Sequence, residues 1–267
     1  MLDNNNTLRS WTSLSISGEG TKVRGILLAF LLMSFVSDNT KLTIWLVGDS
    51  TMSIKDKSAY PETGWGMPFA VFFDSTVTIN NVAENGRSTK SFIEEQRWQY
   101  VMDNLHAGDY VLIQFGHNDE VKEKVGRYTT PEEFLNNLDR FVKDVRSKNA
   151  TPVLITPVAR RKFDSSGKII DTHQQYAQLV KDVAKKDAVA LIDLNALSMQ
   201  LLQQTGPENS KFFFNYLKPG EHPNYPNGHE DDTHFDELGA RKMAELVLHE
   251  IQAQQLPLAQ HIVAGNK

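Results

Sequence analysis

The stretch TIWLVGDSTMS, residues 43–53, decides how the rest of the chain is read. Thr43 to Val47 is an apolar run with no polar alternation, the pattern of a strand buried on both faces. It stops at Gly48-Asp49-Ser50, a small polar turn with one serine at its tip. Strands of this kind belong to parallel sheets covered by helices, and such sheets bind ligands beyond the carboxyl ends of their strands. Ser50 therefore falls where a parallel α/β protein places its site. Taken alone, a serine after a strand is more often a helix N-cap.

Four more stretches are strand candidates, most of them β-branched and none alternating cleanly: Val77–Val82, Tyr110–Gln114, Pro152–Thr156 and Val189–Leu194. Amphipathic segments lie between them. In TTPEEFLNNLDRFVKDVRSKNA (129–150), Thr130 is the expected N-cap, Pro131 suits the first turn, and Glu132 and Glu133 suit the positive end of a helix. Phe134, Leu135, Leu138, Phe141, Val142 and Val145 form one apolar stripe. HQQYAQLVKDVAKKDA (173–188) and DELGARKMAELVLHEIQ (236–252) behave similarly. Strands alternating with helices predict an α/β protein, a three-layer α/β/α sandwich with a five-stranded parallel sheet covered on both faces.

Composition agrees with a globular protein. The 267 residues are 40% hydrophobic and 23% charged, and they include no cysteine. A disulfide scaffold, a thiolate zinc site and a cysteine nucleophile are therefore excluded. The formal net charge is −5 with no basic stripe, which disfavours nucleic acid as a partner. No repeat or Pro/Ser-rich linker divides residues 38–267, which read as one domain. Before them, KVRGILLAFLLMSFVS (22–37) sets an apolar run behind Lys22 and Arg24. The run has the length of an export-signal core and is too short to span a bilayer. Residues 1–37 are thus expected to be a leader and the protein secreted or periplasmic; a buried helix is the competing reading. GPENSKFFFNYLKPGEHPNYPNGHEDD (206–232) reads as a long irregular loop whose aromatics favour order.

The strand ends carry GDST (48–51), NVAENGRST (81–89), QFGHND (114–119) and TPVARRKF (156–163), and DDTHF (231–235) precedes the last helix. These hold the residue types that acyl transfer needs: a nucleophile, a base, a group that orients the base, and donors for an oxyanion. Ser50 is the candidate nucleophile, His234 the base and Asp231 its orienter. Asn118 offers a side-chain N–H, and Gly86 an unobstructed backbone N–H. Each has an ordinary alternative as a cap or turn residue. All five at predicted sheet ends make one catalytic rim the economical reading.

GDST, NGRS, GHND and DDTH, in this order, resemble the SGNH/GDSL hydrolases. The resemblance runs from residue 43 to about 252. It implies Ser50, Asp231 and His234 as the triad, Ser50, Gly86 and Asn118 as the oxyanion hole, and no cofactor or metal. GDSTMS, GWGMPF (64–69), NGRSTKSF (85–92) and LKPGEHPNYPNGHEDDTHF (217–235) are closer still to rhamnogalacturonan acetylesterases. Deacetylation of a pectic polysaccharide or oligosaccharide is the expected activity. Trp65 is expected either to stack on a sugar or to lie in the core. Arg87 and Arg160 either pair with uronate carboxylates or are ordinary surface charge. His222, His229, Glu230, Asp231 and Asp232 match no zinc spacing. A general esterase or lysophospholipase on the same fold is the rival enzyme, and a non-catalytic sugar-binding module the rival from another class.

Overall fold

The computed structural model describes residues 41–263. The leader expected over residues 1–37 lies outside the described residues. Five strands form one sheet: β1 (Leu42–Gly48), β2 (Val77–Asn81), β3 (Tyr110–Gln114), β4 (Thr151–Ile155) and β5 (Ala190–Ile192). Every neighbouring pair is parallel, in the order β2-β1-β3-β4-β5. All five fall on the strand candidates of the sequence, with ends displaced by at most two residues; β2, VTINN at the sheet edge, has no buried residue. The fifth is shorter than the run predicted. Asp193 leaves the strand to cap the next helix, accepting from the Ala196 N–H at 3.3 Å. Val189 is held at the preceding helix end, where its N–H donates to Ala184.

The helices are α1 (Gly66–Phe69), α2 (Thr89–Glu94), α3 (Arg97–Asn104), α4 (Pro131–Ser147), α5 (Gln174–Lys186), α6 (Leu194–Asn209) and α7 (Glu237–Ala253). Thr130 caps α4 in a reciprocal box with Glu133, with Pro131 at the first position. Successive strand residues point to opposite faces. Ile44, Leu46, Leu112, Val153 and Ile155 face a core closed by Phe69, Leu194, Leu202, Met243, Val247 and Ile251. Trp45, Val47, Val111, Ile113 and Leu154 face the other, closed by Phe92, Trp98, Phe134, Phe141, Val145 and Val180. The result is the three-layer sandwich the sequence predicted, with α1, α6 and α7 on one side and α2 to α5 on the other.

The strand order fixes where a site forms. From β1 the chain steps outward to β2, then returns across β1 to β3. The crevice between β1 and β3 is thus the topological switch point, where open α/β sheets bind ligands. Gly48 is level with Gln114 in the β1–β3 register. The segments after these strands, which carry Ser50 and Asn118, therefore emerge on the same rim.

Residues 206–232 are more structured than the sequence predicted. The first of them complete α6, which breaks its helical path at Gly206 (φ +80) ahead of Pro207. Bridges pair Leu217 with His229 and Phe214 with Phe235. The remaining excursion is thereby tied to the segment leading into α7.

Candidate active site

The turn after β1 is built by Asp49. Its carboxylate is fully buried, and Oδ1 accepts from the Thr51 N–H (3.0 Å) and the Thr51 hydroxyl (2.8 Å). The Asp49 carbonyl accepts from the N–H groups of Met52 and Ser53. Burial pushes the Asp49 carboxyl above the ordinary range, against the opposing effect of its Thr51 bonds. A buried line of hydrogen bonds supports the turn from below. Trp65 Nε1 donates to Gln114 Oε1 at 2.7 Å, and Gln114 Nε2 donates to Thr51 Oγ1 at 2.7 Å. β1 ends in small polar residues because Asp49 and Thr51 close a tight turn that leaves Ser50 at its tip, 9% exposed.

DDTHF folds around one carboxylate. Asp231 Oδ1 accepts from the backbone N–H of Thr233 (2.6 Å) and of His234 (3.0 Å), while Oδ2 lies 2.7 Å from His234 Nδ1. One oxygen shapes the turn and the other orients the ring. Burial pushes the Asp231 carboxyl up, but the His234 ring and the two backbone N–H groups outweigh it and bring it down to about 2. His234 Nε2 then sits 2.9 Å from Ser50 Oγ. The segment is fastened on both sides: Asn215 N–H donates to the His234 carbonyl, and Thr63 N–H to the Phe235 carbonyl.

The donors expected for an oxyanion meet on the same cavity. Ser50, Gly86, Asn118 and His234 line a space of about 360 Å³ together with Glu62, Asn85, His117, Lys124, Arg127, Arg160 and Thr233. Among the described residues, neither the Ser50 nor the Gly86 backbone N–H donates to a protein acceptor. Gly86 adopts φ +73, and Asn85 beside it is anchored by Ser53 Oγ (2.8 Å) and Lys55 Nζ (2.6 Å). The positive φ favours glycine at position 86, and a Cβ there would fall 2.7 Å from Arg127 Nη1, so a side chain would displace that guanidinium. Asn118 is buried, and its Nδ2 donates to the Arg87 carbonyl at 3.0 Å. An amide nitrogen carries two hydrogens, so one remains for a ligand.

Three expected substrate contacts fare differently. Trp65 is fully buried against Phe69 and bonded to Gln114, so it is a core residue under the turn and presents no face to a sugar. Arg87 is engaged elsewhere, with Nε on Glu95 (2.9 Å) and Nη1 on the Asn85 carbonyl (2.8 Å), and it does not line the cavity. Arg160 does line it, while Nη1 pairs with Glu120 at 2.7 Å. Sequence reasoning missed Glu62, Lys124, Arg127 and Thr233. Arg127 and Lys124 sit in DEVKEKVGRY (119–128), which reads as an ordinary solvated turn. Gln114 did carry a signal, as the one polar residue in the otherwise apolar YVLIQ.

A serine, histidine and aspartate in one hydrogen-bonded line, at the carboxyl edge of a parallel sheet, define a serine-hydrolase site. The chain belongs to the GDSL-like Lipase/Acylhydrolase family, whose model matches residues 46–242. It is 43% identical over 223 residues to the rhamnogalacturonan acetylesterase RhgT of Bacillus subtilis (strain 168), covering 84% of this chain and 95% of that one. It is 29% identical over 241 residues to a rhamnogalacturonan acetylesterase of Emericella nidulans, covering 83% and 89%. The crystal structure of Bacillus subtilis YxiM superposes with a TM-score of 0.71 at 25% identity; 82% of this chain matches 58% of that one.

Proposed function

We propose that this chain is a carbohydrate O-acetylesterase whose substrate is an acetylated pectic polysaccharide of the rhamnogalacturonan type. The observation that carries the chemistry is the line from Asp231 through His234 to Ser50, with distances of 2.7 and 2.9 Å. Ser50 Oγ attacks the acetyl carbonyl carbon while His234 Nε2 takes its proton. The Ser50 and Gly86 N–H groups and Asn118 Nδ2 receive the charge that develops on the carbonyl oxygen. His234 then protonates the departing sugar hydroxyl, leaving acetyl-Ser50. Water attacks that ester with the same base, and acetate leaves. Asp231 stays ionised throughout and stabilises the protonated ring.

The substrate assignment is supported by the names of the two acetylesterase relatives and by the polar lining of the cavity. Among the described residues, no aliphatic or aromatic hydrocarbon side chain lines the cavity, which weighs against a lysophospholipase. The test is acetate release from acetylated rhamnogalacturonan by the wild-type protein and by Ser50→Ala. Release by the wild type alone is expected. Release from nitrophenyl acetate but from no acetylated polysaccharide would return the protein to the general-esterase reading.

We also propose that the protein is exported, on the strength of the apolar run that follows Lys22 and Arg24. Amino-terminal sequencing after expression in a Gram-negative host is expected to show cleavage between about residues 34 and 42. Full-length protein in the cytoplasm would oppose export. Among the described residues no helix is long and apolar enough to cross a membrane.

A further inference from the structure

The charges around the catalytic cavity do not balance. Glu62 is the one carboxylate lining it, and Glu62 is paired with Lys55 at 2.7 Å, whose side chain is fully buried. Arg160 is paired with Glu120, which also meets His173 Nδ1 at 3.0 Å. Asp231 is committed to His234. Two cations remain, Lys124 and Arg127. Neither forms an ion pair with a carboxylate among the described residues, and the nearest acceptor to Lys124 Nζ is Asn118 Oδ1 at 3.5 Å. This local excess of positive charge stands in a chain whose formal net charge is −5.

Their placement is as specific as their lack of partners. The turn after β3 is closed by backbone bonds from Lys124 N to the Val121 carbonyl (3.0 Å) and from Arg127 N to the Lys124 carbonyl (2.7 Å). It returns to the sheet where Thr129 N–H meets the Asp119 carbonyl (3.0 Å). The turn lays the Arg127 guanidinium directly on Gly86: a Cβ there would lie 2.7 Å from Nη1, 3.0 Å from Cζ and 3.2 Å from Nη2. Lys124 meets the other expected oxyanion donor, Asn118. Both cations thus line the cavity beside the two expected oxyanion donors, next to where the acetyl ester would sit.

We propose that Arg127 and Lys124 form a carboxylate-binding subsite that selects substrates carrying a uronate next to the scissile acetyl ester. The inference rests on the acetylesterase reading and narrows it. A guanidinium presents a planar fork to a carboxylate and an ammonium adds a point charge, so the pair holds one acidic group without needing a second carboxylate from the protein. It replaces the assignment of uronate recognition to Arg87, which is already occupied by Glu95 and the Asn85 carbonyl.

The test compares an acetylated galacturonate oligosaccharide with its methyl ester, which keeps the acetyl group and removes the charge. Wild-type kcat/KM is expected to favour the free acid. Arg127→Gln and Lys124→Gln should each lower that preference, and the double variant should lower it roughly tenfold to a hundredfold, the range of a charge-assisted hydrogen bond. Arg127→Lys should retain part of it. Added salt should shrink the wild-type preference, because exposed charges are screened. If the double variant does not fold, the two single variants decide the matter. Equal wild-type kcat/KM on the two forms, or a preference that survives in the double variant, overturns the inference and leaves the acetylesterase reading standing. Failure to deacetylate either form, with nitrophenyl acetate still cleaved, overturns the pectic reading and the inference with it.

Discussion

His234 Nε2 lies 2.9 Å from Ser50 Oγ, although 184 positions separate them in the chain. No local sequence interaction brings them together. β1 and its Asp49 turn set one partner, and the Asp231 turn ahead of α7 sets the other. Ser50→Ala and His234→Ala should each abolish ester hydrolysis, and the double variant should be no worse than either, because triad members act as a unit. Thermal unfolding should show all three folded. Substantial turnover by purified Ser50→Ala would remove the nucleophile assignment.

The Asn118 amide hydrogen not given to the Arg87 carbonyl is expected to meet the charge that develops in the transition state. Asn118→Ala should therefore lower kcat by roughly 10²–10³ with little change in KM. Asn118→Asp should be at least as damaging, since it sets a negative charge beside another that is forming. Steady-state kinetics on nitrophenyl acetate separate the cases. A raised KM at constant kcat would make Asn118 a ground-state binding residue.

Trp65 separates a structural role from a sugar-stacking one. Trp65→Phe keeps most of the volume but leaves Gln114 Oε1 buried without its 2.7 Å donor. An unsatisfied buried polar group costs about 1–3 kcal/mol, which urea unfolding resolves. KM on the polymer should change little, because the ring is fully buried. A raised KM with unaltered stability would restore the stacking role.

Much of the candidate site could be read from the chain because its residues are local punctuation. Strands buried on both faces appear as unbroken apolar runs, and Ser50, Gly86, Asn118 and Asp231 each follow such a run or precede a helix. DDTH encodes its own turn, since Asp231 reaches both the backbone and the ring within three residues. What surrounds the centre was less legible. Whether Trp65 meets a sugar or Gln114 depends on how β3 lies beside β1, 49 positions away. Arg87 and Arg127 are both arginines in polar loops. Only the fold shows that Glu95 occupies one and that the other rests on Gly86. The export reading concerns residues outside those described.

Two aspartates should tune stability on opposite limbs of the pH scale. Asp231 is held down to about 2, so the native state resists its protonation more than the unfolded chain does. Its contribution is present above about pH 4 and is lost as pH falls through 2. Asp119 goes the other way. Burial pushes its carboxyl up to about 7, against bonds from the Thr89 N–H and hydroxyl and from the Thr129 hydroxyl. Oδ2 has no partner among the described residues. The native state therefore keeps a proton that the unfolded chain has released between about pH 4 and 7, and stability should decline as pH rises across that window. Urea unfolding at intervals from pH 2 to 8 checks both. The advantage of the wild type over Asp231→Asn should shrink below about pH 4, while Asp119→Asn should flatten the decline between about pH 4 and 7. Wild-type slopes in both variants would show that neither carboxyl is perturbed by its surroundings, and the buried bonds at Asp119 would then hold a charge rather than a neutral acid.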